Sequence, residues 1–202
     1  MGNELTLPRS ELILGGQRSG KSARAERLAA QWLAASASHS AVLLATAQPH
    51  DEEMRQRIAW HRADRVARVP GMRTVEEPLD IASAITLHST PHTLLVVDCL
   101  TLWLTNWLMP SATFSAAPDS QPNRSIANEY KAQAAMVFEA IAHAKGPVVI
   151  VSNEIGLGVI PLGAQVRAYV DALGRLNQDT AQVCERVTLM AAGLPLTLKG
   201  AA

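Results

Sequence analysis

Residues 15–22 read Gly15-Gly16-Gln17-Arg18-Ser19-Gly20-Lys21-Ser22, after the apolar Leu12-Ile13-Leu14 and before a helix-forming run from Ala23 to Ala35. The stretch fits the phosphate-binding pattern G-x-x-x-x-G-K-[ST]. Glycines at both ends let the backbone curl so that successive N–H groups face phosphate oxygens, and a helix opening at Lys21 adds the positive end of its dipole. In that arrangement Lys21 reaches the β/γ-phosphates and Ser22 ligates Mg2+. A chance match is the competing reading, and the strand before and helix after weigh against it. The stretch therefore predicts nucleoside triphosphate binding on a sheet with helices between its strands.

Outward from the loop, the rest of the chain repeats the strand–helix alternation. Glu11 to Gly15 reads as the first strand and Lys21 to about Ser36 as the first helix. Residues 41–45, Ala-Val-Leu-Leu-Ala, form a continuous apolar run of strand length, as suits a parallel strand covered on both faces. Asp51 to Asp64 has helical spacing, with Met54, Ile58 and His61 on one stripe and Asp51/Arg55 and Glu53/Arg57 as i,i+4 pairs. Arg73 to Glu77 suits a short strand, Leu79 to His88 a short helix, and Thr93 to Val97 another buried strand closed by Asp98. Leu100 to Met109 and Ser125 to Lys145 read as helices, separated by a loop insertion over 110–124 rich in Ser, Ala, Pro and Asn. Val148 to Val151 is a further strand, Asn153 to Pro161 a glycine-containing loop and Gly163 to Cys184 a helix. Val187 to Met190 and Leu196 to Leu198 suggest a terminal hairpin around Gly193-Leu194-Pro195.

This order predicts one α/β domain over residues 1–202, with residues 1–10 as a flexible lead and a mostly parallel sheet carrying helices on both faces. Ligands of such a sheet bind beyond the carboxyl ends of the strands. The polar residues gather there: Gly15 to Ser22, Thr46, Asp98 and Asn153-Glu154.

Lys+Arg and Asp+Glu are equal at 18 each, so no net field draws the chain to nucleic acid or an anionic membrane. Cys99 and Cys184, the only cysteines, stand far apart without C-x-x-C spacing, which argues against zinc and disulfides and for a reducing, cytoplasmic setting. The apolar run near Leu94 to Leu104 contains Asp98 and is too short to span a bilayer.

Asp98 follows four apolar residues at a strand end, where a P-loop protein keeps the acid that holds Mg2+ through water; capping the next helix is the alternative. His61 reads either as a half-buried helix residue or as a nucleophile. Arg57, Arg62, Arg65 and Arg68 surround it in sequence, which would keep the imidazole neutral and attract phosphate. A solvated helix face with Glu52 and Glu53 as partners is the competing reading of those arginines. Glu76-Glu77 and Asn153-Glu154 are either caps or site residues. Arg167, Asp171, Arg175 and Asn177 are either surface ion pairs or substrate contacts.

Taken together these residues resemble the bifunctional adenosylcobinamide kinase/adenosylcobinamide-phosphate guanylyltransferase family of cobalamin biosynthesis. The resemblance rests on the P-loop, on Ala45-Thr46-Ala47, on Asp51, Glu53-Met54 and Arg57-Ile58 through His61 to Arg65, and on Glu76. It continues through Asp98-Cys99-Leu100-Thr101, Thr105-Asn106, residues 153–161 and Gly174-Arg175-Leu176-Asn177-Gln178. It implies a P-loop NTPase-type, RecA-like fold and two reactions: phosphorylation of adenosylcobinamide by ATP or GTP, then transfer of GMP from GTP with release of pyrophosphate. It also implies Mg2+, held by Ser22 and Asp98, and a homotrimer. His61 matches the histidine that carries GMP, with Lys21 as the other catalytic residue. Nucleotide contacts implied by the resemblance are Gly15, Gly16, Gln17, Arg18, Ser19, Gly20, Lys21, Ser22, Ala45, Thr46, Ala47, Arg62, Ala63, Asp64, Arg65, Glu76 and Asp98. Val170 stands where the family usually has arginine, and residues 110–124 carry no family pattern.

Overall fold

Side chains alternate along the first strand, with Leu12 and Leu14 on one apolar layer and Ile13 on the other, so this strand is covered on both faces. It belongs to a computed structural model that describes residues 7–49, 51–109 and 124–200, apart from the side chains of Arg57, His61 and residues 124–128. The elements in chain order are β1 (Ser10–Gly15), α1 (Lys21–Ala35), β2 (Ser40–Ala45), α2 (Glu52–Arg68), β3 (Arg73–Glu76), α3 (Ile81–His88) and β4 (Thr93–Asp98). There follow α4 (Leu100–Leu108), α5 (Arg124–Ala142), β5 (Val148–Val151), α6 (Ala164–Val183), β6 (Arg186–Ala191) and β7 (Leu194–Lys199).

The strands form one sheet in the order β3-β2-β4-β5-β1-β6-β7, with every pair parallel except β6 with β7. Leu12, Val42, Leu44, Leu95, Val97, Val148 and Ile150 pack on one face beneath α3, α4, α5 and α6; Trp103 of α4 is fully buried there and donates its indole N–H to Leu79 O at 2.7 Å. Ile13, Leu43, Leu94, Val96, Val149 and Val151 pack on the other face against α1. Each fully buried Val, Leu or Ile contributes about 1.5–3 kcal/mol relative to exposure. The two layers together hold the sheet edge, and hence the P-loop, in place.

Three local readings change. Helix α2 continues past Asp64 to Arg68. Asp51 does not pair with Arg55: it is the N-cap, accepting from Met54 N–H at 2.7 Å, and Arg55 pairs with Glu52 at 2.9 Å. The hairpin turns at Ala192-Gly193, both at positive φ (51° and 80°), while Leu194 and Pro195 already lie in β7. As the edge strand, β7 tolerates a proline that has no N–H to give. Residues 110–123 of the expected loop insertion and residues 1–6 of the expected lead lie outside the described residues, and Arg124 opens α5.

Candidate active site

The sheet register sets the candidate residues in a row. Glu76 pairs with Ala45, Ala45 with Asp98, Asp98 with Val151, and Val151 with Ile13, two residues before the P-loop begins. Strands with aligned carboxyl ends thus bring Glu76, Ala45 and Asp98 to the edge from which the loop emerges. Strand β5 lies between the strand of the loop and the strand of the acid.

Gly15 has φ 151°, and a Cβ there would stand 2.5 Å from both Met190 O and Ser19 Oγ. Gly20 is left-handed, at φ 100°, and opens α1. Arg18 is also left-handed, at φ 56°. Gly16, Gln17 and Arg18 are exposed at the crest, whereas the Ser19 hydroxyl is buried without a hydrogen-bond partner in the structure. Lys21 is buried and donates to Gly16 O at 2.7 Å, across the loop. Its burial pushes the ammonium pKa down, opposed by Cys99 and Asp98. One residue on, Ser22 Oγ donates to Asp98 Oδ2 at 3.1 Å. A hydroxyl and a carboxylate so placed beside a helix N-terminus suit Mg2+, which takes few protein oxygens and completes its shell with water and phosphate. Among the described residues no group of three His, Cys, Asp or Glu forms a further metal site.

Contacts remote in sequence hold the loop. Gly193 N–H of the hairpin turn donates to Ser19 O at 3.0 Å, and Glu154 N–H donates to Gly15 O at 3.0 Å. Arg24, one turn into α1, is clamped to the buried carboxylate of Glu11 at 2.7 Å. Sequence reading foresaw the hairpin but not its contact with the loop, nor the part played by Glu11, for which no local motif exists.

Thr46 is fully buried. Its hydroxyl donates to Cys99 O and accepts from Cys99 N–H, both at 2.8 Å, and Asn106 Nδ2 donates to Thr46 O at 2.8 Å. The side chain is therefore a brace joining the ends of β2 and β4, with its one donor and one of its two acceptor sites committed to Cys99. Asn177 is likewise a brace rather than a surface ion-pair member. Buried on α6, it accepts from Ser152 Oγ at 2.7 Å and donates to Asn153 O at 2.9 Å. Arg167 is tied to the carbonyls of Pro161 and Leu162, and Glu154 accepts from Gly156 N–H at 2.9 Å. Glu77 caps the turn before α3 by accepting from Leu79 and Asp80 N–H.

Helix α2 carries His61 in its backbone; the His61 and Arg57 side chains lie outside the described residues. The arginines are less free than the sequence suggests. Arg62 forms an ion pair with Glu76, and Arg68 pairs with Asp64 at 2.7 Å and with Glu26 at 3.0 Å. Arg65 is half-buried and reaches Thr74 Oγ1 at 3.4 Å; burial pushes its pKa down, while Asp98 and Glu26 push it up and Arg62 pushes it down. Ala63 and Asp64 are exposed.

Cys99 and Cys184 are buried and free, with burial raising each thiol to about 12. Among the described residues no helix is long and apolar enough to cross a membrane. Beside the loop, a cleft of about 900 Å3 opens between residues 154–161, α6 and β7.

The fold has solved counterparts. Flagellar accessory protein FlaH from Methanocaldococcus jannaschii superposes with a TM-score of 0.50 at 12% identity, over 96% of this chain and 80% of that one. A protein from Pyrococcus horikoshii OT3 gives a TM-score of 0.52 at 10% identity, over 96% and 87%. At such identities the likeness speaks for the P-loop architecture alone. Sequence relatives say more. The bifunctional adenosylcobalamin biosynthesis protein CobP of Pseudomonas aeruginosa is 47% identical over 191 residues, covering 94% of this chain and 97% of that protein. The bifunctional adenosylcobalamin biosynthesis protein CobU of Escherichia coli is 30% identical over 188 residues, covering 93% and 98%. The sequence model of the family described as cobinamide kinase / cobinamide phosphate guanyltransferase matches residues 11–198. A P-loop with its acid in place, followed across nearly the whole chain by this match, leads to one conclusion: the chain belongs to the cobinamide kinase / cobinamide phosphate guanyltransferase family.

Proposed function

We propose that this enzyme phosphorylates adenosylcobinamide with ATP or GTP at the P-loop and then transfers GMP from GTP to the new phosphate through a covalent GMP–histidine at His61. The observation that carries the first half is the Ser22–Asp98 contact at 3.1 Å beside a buried Lys21. Ser22 and Asp98 would hold Mg2+, which when bound offsets charge on the β/γ-phosphates. Lys21 exchanges its bond to Gly16 O for phosphate oxygen, and the N–H groups of residues 16–22 surround the rest. The acceptor hydroxyl oxygen bonds to the γ-phosphorus, the bond to the β-phosphate oxygen breaks, and the nucleoside diphosphate leaves as the hydroxyl proton passes to solvent or a nearby base.

In the second half a neutral His61 ring nitrogen attacks the α-phosphorus of GTP and pyrophosphate leaves. A phosphate oxygen of the acceptor then takes the GMP group and frees the ring. Helix α2 supports this reading, because its Arg62 is paired to Glu76 at the end of the same carboxyl-edge row that holds Ala45 and Asp98. Nucleotide contact on the β2 side falls to Ala45 and Ala47, since the Thr46 hydroxyl is committed to Cys99. Two buried, unpaired thiols agree with a reducing, cytoplasmic setting. One sheet containing both the first and the last described strand supports a single domain. The homotrimer rests on the family resemblance alone.

The test is incubation with Mg2+ and GTP labelled in its α-phosphate, followed by denaturation. An acid-labile, alkali-stable label on the wild type and none on His61→Ala, with kinase activity still measurable in the variant, is the expected result. Label on both proteins, or on neither, removes the role given to His61.

A further inference from the structure

The 154–161 loop ends one wall of the large cleft in side chains that water surrounds: Leu157 is 82% exposed, Val159 94% and Ile160 76%. The facing wall is α6, which presents Asp171, Arg175 and Gln178. Asp171 and Arg175 have the i,i+4 spacing that closes to 2.7 Å between Asp64 and Arg68 on α2, yet they form no ion pair among the described residues. Between them sits Gly174, where a Cβ would meet nothing within 4 Å. The cleft thus combines an apolar lip, uncommitted donors and acceptors, and an open floor.

Its position matters as much as its lining. Leu14, the residue before the P-loop, forms part of the wall, and so does Glu154, whose N–H holds Gly15 O. The inner end of the cleft therefore abuts the phosphate-binding backbone. We propose that this cleft receives the corrinoid acceptor, with the flat macrocycle against the 155–160 lip and the amide fringe toward Asp171, Arg175 and Gln178. The assignment rests on the kinase and guanylyltransferase reading above and names where its second substrate sits.

Size and chemistry both favour a corrinoid. A volume of about 900 Å3 lies at the upper end of the roughly 300–1,000 Å3 usual for ligand pockets. A macrocycle ringed by amides needs an apolar wall and neutral-to-charged hydrogen-bonding groups together. A second copy of the chain would fit less well, because the centre of a protein interface is depleted of charged residues, whereas Asp171 and Arg175 stand here on the wall itself.

The test uses the full chain and cobinamide, whose visible absorbance allows equilibrium dialysis. Gly174→Trp and, from a second point on the same wall, Val170→Trp fill the cleft. Each is expected to weaken cobinamide binding by roughly tenfold or more, with an unchanged dissociation constant for a fluorescent GTP analogue and an unchanged sedimentation coefficient. Binding within about twofold of wild type in both variants overturns the assignment. A changed sedimentation coefficient also overturns it, by giving the cleft to a contact between copies. Failure of the wild type to bind cobinamide would instead overturn the acceptor reading on which the assignment depends.

Discussion

Replacing Asn177 by leucine separates a brace from a ligand contact. The side chain is 3% exposed, accepts from Ser152 Oγ at 2.7 Å and donates to Asn153 O at 2.9 Å. Leucine has similar bulk but neither hydrogen-bonding group. An orphaned buried polar group costs about 1–3 kcal/mol. The Ser152 hydroxyl, fully buried, takes the larger share. The Asn153 carbonyl, half-buried, takes the smaller one. The sum is about 2–4 kcal/mol, a large part of the roughly 5–15 kcal/mol that holds a typical domain folded. Urea unfolding with linear extrapolation reads it directly. Adding Ser152→Ala removes the orphaned hydroxyl, so the double variant should recover about 1–2 kcal/mol relative to Asn177→Leu alone. Because Glu154 N–H holds Gly15 O, the single variant should also raise the KM for nucleotide. Unfolding within about 0.5 kcal/mol of wild type, or further loss on adding Ser152→Ala, would refute the reasoning. A raised KM at unchanged stability would return Asn177 to the ligand contacts.

Gly15→Ala forces a methyl to 2.5 Å from Met190 O and Ser19 Oγ at a φ of 151°, so strain of about 1–3 kcal/mol should appear as weaker binding of a fluorescent nucleotide; wild-type affinity would mean that the close approach to β6 is immaterial. Cys99 and Cys184 are each raised to about 12 by burial, from an ordinary 9.0. Above pH 9 the unfolded chain sheds both thiol protons while the folded chain keeps them, so the stability they lend is complete below pH 9. It should fall by about 1.4 kcal/mol per thiol per pH unit as pH rises toward 12. Unfolding midpoints between pH 8 and 10.5 measure this; a flat profile would contradict the burial of the thiols.

What the sequence makes legible is what is local. The phosphate loop declares itself through glycine, lysine and serine at fixed offsets, and the parallel strands through unbroken apolar runs such as Leu94 to Val97. Asp98 is legible as a site candidate because it closes such an apolar run, and the structure sets it 3.1 Å from Ser22 Oγ. The rest depends on partners far away in the chain. Thr46 reads as a loop residue and is a brace only because Cys99 lies beside it, 53 positions on. Nothing near Gly193 announces that its N–H holds Ser19 O. Helix α2 overran its expected end for a related reason. Arg68 is held by Asp64 within the helix and by Glu26 of α1, and only the first partner is visible in a local window.

The arginines of α2 show how such pairing bears on mechanism. In sequence, Arg57, Arg62, Arg65 and Arg68 suggest a positive field that keeps His61 neutral. In the structure Arg62 is matched by Glu76 and Arg68 by Asp64 and Glu26. Among the described side chains that leaves Arg65, half-buried and under the influence of Asp98. With those charges matched, the proposed mechanism does not rest on a cluster of free cations around the nucleophile. It needs positive charge where the triphosphate rests, and there Lys21, Arg65 and the loop N–H groups are available. Arg62 stands at the same edge, where its ion pair with Glu76 links α2, the helix that carries His61, to the carboxyl end of β3.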